Sequence, residues 1–268
     1  MPEANEPDVK LEIEPTKMAW WSDNVRAVPN SILRSALFSI VKKGERKSFF
    51  REPVFSANSI TIIFTGQQLD QSDLDVWAQI LHSSKHSCGN NEVEFIGTHI
   101  SAPDLLRAMG KMTGGSDVKW LIASMTRLQS AVVEIKYEKH AFSGHLIHNI
   151  ERNDKTKKYV IDINPKLAGL FGNTGFTRIE LDERNKLKGK PLEKWLHGFY
   201  SSHQNTDTFH YSVVKIMELC GSRSEHIRGF KQELSNSLEV LSSLTGWECY
   251  IDSEDLVHVI KDESVITG

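Results

Sequence analysis

Apolar side chains recur at helical three- and four-residue spacing in two widely separated stretches. Residues 73–86, DLDVWAQILHSSKH, put Val76, Ile80 and Leu81 on one face, and residues 192–204, LEKWLHGFYSSHQ, do the same with Trp195, Leu196 and Phe199. Each stretch predicts a helix, and each has the same sequel. A short β-rich segment follows (Val93–Ile96; Thr208–Tyr211), then a short helix opened by serine and closed by glycine, SAPDLLRAMG at 101–110 and SVVKIMELCG at 212–221. Ser101 and Ser212 can accept from free first-turn amides, and Gly110 and Gly221 can take the left-handed conformation that ends a helix. After a few polar residues comes a longer amphipathic helix, 117–130 and 225–243, the second preceded by Ser222 and Glu225 at capping-box spacing. β-rich pairs close each half, 131–137 with 142–150 and 247–251 with 256–260, and read as hairpins.

Helix, turn, helix and hairpin make a winged helix, and the repeated order favours it over a mixed α+β enzyme whose helices merely bury their stripes. The expected fold class is therefore α+β, with two tandem winged-helix domains. Residues 1–18 read as an acidic flexible segment, 19–150 as the first domain and 159–268 as the second. Between them ERNDKTKK, residues 151–158, is charged and without apolar period, so it is either a linker or a hairpin tip. SITIIF, residues 59–64, is either a core strand or an edge that pairs with another copy.

The formal charge of −3 over 268 residues speaks at first against a nucleic-acid partner. Its distribution changes the picture. Residues 1–14 and 252–263 each carry a net of −4, which leaves +5 on the rest of the chain. On the second long helix Ile227, Phe230, Leu234, Leu238 and Leu241 form the predicted buried stripe, and Arg228, Gly229 and Gln232 lie opposite. Arginine and glutamine one turn apart suit the major groove, where they can pair with guanine O6/N7 and adenine N6/N7. Gly229 removes a side chain that would hold the helix off the bases. Arg223, Ser224, His226 and Lys231, at its start or flank, are candidate phosphate contacts. The first long helix is expected to bury Val118, Leu121, Ile122, Met125 and Leu128 and to present Lys119, Ala123 and Arg127, either to DNA or to solvent. Lys136, Lys139 and His140 are candidate phosphate contacts at the first wing.

Other chemistry is poorly represented. Cys88, Cys220 and Cys249 are odd in number and form no C-x-x-C pair, so neither a disulfide framework nor a zinc ribbon is indicated. His82, His86 and Cys88 lack a convincing fourth metal ligand. The glycines at 110, 114 and 115 lack a phosphate-loop pattern. His145 and His148, as HLIH, have one residue too many for the metal motif of a rolling-circle nuclease. We expect no catalysis, cofactor or metal. With neither a signal peptide nor a membrane span read from the sequence, the location expected is cytoplasmic.

From about Trp21 to Lys261 the chain resembles the TrfA family of plasmid replication proteins. The resemblance is carried by the order of Trp21, Arg26, Pro29, Asn30 and the run Arg34-Ser35-Ala36-Leu37-Phe38, then Thr65, Gly66, Leu69, Val76 and Trp77. Leu170-Phe171-Gly172, Ser201-Ser202-His203, Cys220-Gly221-Ser222 and Asp255-Leu256-Val257-His258 continue it. It implies a plasmid initiator that binds direct repeats, called iterons, in double-stranded origin DNA and helps open the duplex. It also implies dealings with the host initiator protein and replicative helicase, and a monomer–dimer equilibrium with dimerisation through the first domain. The family's second recognition helix is more basic at its start than Glu225, His226 and Gly229 here, which implies a different iteron. Some relatives carry a longer N-terminal extension that this sequence does not match. The rival functions are a plasmid-encoded transcriptional repressor and a rolling-circle nuclease. Leu37 and Phe38 add a candidate docking site for the host sliding clamp, whose peptide ligands commonly end in Leu-Phe; alternatively SILRSALFSIV is an ordinary amphipathic helix.

Overall fold

The computed structural model describes residues 18–41, 46–57, 59–90, 92–137, 140–173, 175–203 and 210–261. Six helices carry the repeated pattern. In the first half they are α1 (Gln71–Ser84), α2 (Ala102–Ala108) and α3 (Gly115–Ser130), and in the second α4 (Pro191–Ser201), α5 (Val213–Leu219) and α6 (Ile227–Thr245). Helix α1 starts at a capping box, with Asp70 accepting from the amides of Ser72 and Asp73 at 2.8 and 3.0 Å while Asp73 accepts from the Asp70 amide. Ser101 and Ser212 cap α2 and α5 by accepting from the third amide beyond them, at 3.2 Å in both cases. Gly110 and Gly221 sit at φ +63° and +67°. At Gly221 a β-carbon would stand 2.6 Å from that of Ser39, so the turn requires glycine on two counts. The capping box expected at Ser222 and Glu225 does not form: α6 begins at Ile227 after His226, and Ser222 Oγ accepts from the Ser224 amide instead.

The apolar residues divide into two clusters. The first runs from Met18 to Ile179 around α1, whose Val76, Trp77, Ile80 and Leu81 are fully buried. The second is built from α4, α5 and α6 around Trp195, Phe199, Phe230 and Leu234. The changeover falls between Ile179 and Leu192, beyond 151–158. Ile122 and Ile227, expected in the buried stripes, are 39% and 40% exposed; on α3 the inward place goes to Ser124.

The sheet topology repeats, but with an insertion. In the second half the strand ahead of α5, Tyr211–Ser212, pairs antiparallel with Leu256–Ile260, which pairs in turn with Glu248–Ile251. In the first half the strand ahead of α2, Thr98–Ser101, pairs with Lys158–Asp162, which pairs with Asn149–Asn153. The hairpin equivalent to 248–260 is thus 149–162, and ERNDKTKK makes its tip. The hairpin expected at 131–150 forms between Val132–Tyr137 and His140–His145, but it belongs to a separate four-stranded sheet with Ile60–Gln67 and Ser48–Val54 and not to the sheet that repeats. In that sheet Ile60–Gln67 is an interior strand, with Ile62 and Phe64 turned into the core, so SITIIF is a core strand and Ser48–Val54 is an edge.

The segment expected to form the helix SILRSALFSIV keeps only one turn, Asn30–Leu33. Ser35 Oγ donates to the Ile32 carbonyl at 2.9 Å and accepts from the Leu37 amide, replacing helical bonding. The chain then extends, and Phe38–Ser39 pairs parallel with Leu69–Asp70. Leu37 and Phe38 are 2% and 1% exposed, and Phe38 stacks on Trp77 at 6.0 Å. The clamp-docking expectation for this pair is therefore withdrawn, since neither side chain reaches the surface.

Candidate nucleic-acid interface

Helix α6 buries Phe230, Leu234, Leu238 and Leu241 and turns the start of its other face to solvent. Arg228 and Gln232, four residues apart, are exposed on that face. The Arg228 side chain makes no ion pair or hydrogen bond among the described residues, and Gln232 donates to Asn236 Oδ1 at 3.1 Å. Gly229 between them has open space where a side chain would stand. Lys231 is paired with Asp255, at the tip of the 248–260 hairpin. Ahead of the helix, His226 is exposed, Ser224 Oγ donates to the His226 carbonyl at 3.1 Å, and Arg223 donates to Gln68 of the first half.

Helix α3 presents Lys119 and Ala123 one turn apart, both exposed, with Ile122 beside them. Arg127 is not on that face. Its guanidinium meets buried Asp73 with Nη2 and Nε at 2.7 and 3.2 Å, and its side chain is only 12% exposed. The same carboxylate accepts from Ser124 Oγ at 2.6 Å and from Arg46 at 2.9 Å. Arg127 is therefore a tie between α1 and α3, its guanidinium turned inward onto Asp73. Lys136 is exposed on the four-stranded sheet, apart from the repeated hairpin at 149–162. Lys139 lies outside the described residues, as does the His140 side chain.

Of the two readings of 151–158, linker or hairpin tip, the tip is the one formed, and its lysines were not among the expected contacts. Residues 151–158 are all exposed, and Lys155, Lys157 and Lys158 make no ion pair among the described residues. Asn153 Oδ1 accepts from the amides of Lys155 and Thr156 at 3.0 and 3.1 Å and shapes the turn. The signal was the charge run itself. The equivalent tip in the second half has the opposite sign, with Asp252, Glu254 and Asp255.

Two histidines serve the cores. His82 Nδ1 accepts from Trp21 Nε1 at 3.2 Å and its Nε2 donates to Asp23 at 3.1 Å; burial, reinforced by Arg26 and Lys85, pushes its imidazole down to about 4. His203, whose Nδ1 lies 2.7 Å from the Phe199 carbonyl, is also brought down to about 4 by burial, against the pull of that carbonyl. His145 and His148 are exposed and flank buried Leu146 and Ile147.

The sequence pattern of the TrfA protein family matches residues 8–261. The chain belongs to the TrfA family. Plasmid replication initiator protein TrfA of Escherichia coli is 24% identical over 257 residues, covering 93% of this chain; the chain spans 65% of that relative's length. Two crystal structures of domains 2 and 3 of RctB share the fold at 14% identity, with TM-scores of 0.54 and 0.51. The first covers 87% of this chain and 96% of that one, the second 84% and 95%. Two of the segments that carry the TrfA-family resemblance meet at the junction of the halves: Arg34 donates to Ser202 Oγ at 3.0 Å, and Trp195 Nε1 donates to the Ser35 carbonyl at 3.1 Å.

Proposed function

We propose that this TrfA-family chain is a plasmid replication initiator that binds direct repeats in duplex origin DNA. In this reading each half is a winged helix, with the boundary at 180–191, α6 and α3 are the reading helices and the hairpins at 149–162 and 248–260 are the wings. The observation that supports it most is the start of α6. There Arg228, Gly229 and Gln232 form an exposed face with a cation, a gap and an amide in the arrangement that major-groove readout uses. Lys119 and Ala123 supply the first reading face, with Lys231, Arg223, Ser224, His226 and the wing-tip lysines toward phosphates. Family membership and the initiator named among its relatives support the replication role. Duplex opening, recruitment of the host helicase and contact with the host initiator are carried over with that role. Self-association through the first half has a candidate edge in Ser48–Val54, where Phe50 is 80% exposed.

Footprinting of the full chain on DNA flanking its gene tests the proposal. Protection of several direct repeats is expected; a single inverted repeat would favour the repressor. Absence of any sequence-specific protection would reject both.

A further inference from the structure

One carboxylate pins both ends of the segment that joins the two halves. Asp75 of α1 receives Arg184 Nε at 2.6 Å and, through its other oxygen, Lys194 of α4. Arg184 also donates to Gln71 Oε1 at 2.9 Å and to the Lys194 carbonyl at 3.0 Å. Arg184 and Gln71 are buried and Asp75 and Lys194 partly so, and the chain between them is held as a bracket. Leu187 tucks inward at 1% exposure, and Gly189 turns the backbone at φ +78°. Lys186, Lys188 and Lys190 are left exposed, and none makes an ion pair or side-chain hydrogen bond among the described residues.

The bracket lies beside both helix-turn-helix turns. Asn185 packs on Gly110, at the end of α2. Lys188 shares a small cavity with Lys111, which itself lies 4.1 Å above the Trp120 ring. Lys190 lines a cleft of about 700 Å³ between the halves, together with Trp120 of α3 and with Arg223 and Ser224 ahead of α6. Asp182 and Glu193 flank the lysines at the bracket's two ends.

We propose that Lys186, Lys188 and Lys190 form a rigid phosphate rail that holds the DNA backbone between the segments read by α3 and α6. The inference rests on the DNA-binding reading above and adds a third contact region between the reading helices. Anchoring at Asp75 fixes the rail in the free protein, so little backbone order is lost on binding. Phosphate contacts carry no sequence information but release counterions, and each contributes about 0.9 to the slope of log K against log salt.

The test uses the full chain and a duplex enriched by it from a random-sequence library. Affinity of that duplex is measured across salt concentrations for the wild type, the three single Lys→Gln variants and K186Q/K188Q/K190Q, with circular dichroism to confirm folding. Each single variant is expected to weaken the slope by about one and the triple variant by about two to three, while base preference is unchanged. Slopes equal to wild type in folded variants would overturn the rail and leave the DNA reading intact. If no duplex is enriched by the wild type, the DNA reading itself fails, and the rail with it.

Discussion

Asp73 is fully buried, and its two oxygens are met by Arg46 from the loop ahead of the four-stranded sheet and by Ser124 and Arg127 from α3. Removing one donor leaves buried charge less compensated, so Arg127→Ala is expected to destabilise the protein by about 2 to 3 kcal/mol. Denaturant unfolding measures this, and a ΔΔG below about 0.5 kcal/mol would mean that the pair is dispensable. Lys119→Ala, at an exposed position, should leave stability unchanged. In the sequence Arg127 and Arg228 look alike, each a cation on the polar side of an amphipathic helix. What separates them is Asp73, an acid fifty-four positions earlier, and spacing within one helix carries no information about such a partner. Phe38 was hidden for a related reason: helical periodicity continued through RSALF, but the hydroxyl of Ser35 replaces helical bonding and Leu69 offers a strand to pair with.

At the scale of elements, the order of helices was legible because it depends on local signals: apolar period, serine caps and glycine stops. Which hairpin joins the repeated sheet was not. Residues 132–145 and 149–162 are both β-rich, and the choice rests on which of them Thr98–Ser101 pairs with, a contact between distant strands. The two tips then differ in sign, and the account predicts opposite responses. Neutralising Lys155, Lys157 and Lys158 should weaken binding to all duplexes alike and reduce the salt slope by about 2 to 3. Asp255→Asn should strengthen binding, because it frees Lys231 of α6 and removes a like charge from the phosphates. Fluorescence anisotropy with one labelled duplex compares them, and a change of the same sign in both variants would contradict the assignment of the wings.

At the scale of the whole molecule, one part-buried histidine in each half, His82 in the first and His203 in the second, has its imidazole brought down to about 4 by burial. The unfolded chain takes up those protons near pH 6.5, so between 6.5 and 4 it binds more protons than the folded chain. Stability is therefore full above pH 6.5 and falls as pH drops toward 4. Urea midpoints at pH 7.5, 6 and 5 should decline, with a shallower decline in a His82→Gln protein; a flat profile in wild type would show that these imidazoles titrate normally. Two such cores are joined through Asp75 and through the contacts of Arg34 and Trp195, and they carry α3 and α6, the two helices of the proposed reading surface. The most direct test of that surface is the affinity of wild-type and Arg228→Ala proteins for an enriched duplex and for each of its single-base variants. The account predicts a loss of about 1 to 3 kcal/mol on the enriched duplex and relaxed preference at one base pair alone. Unchanged affinity and an unchanged preference profile in a folded Arg228→Ala protein would contradict it.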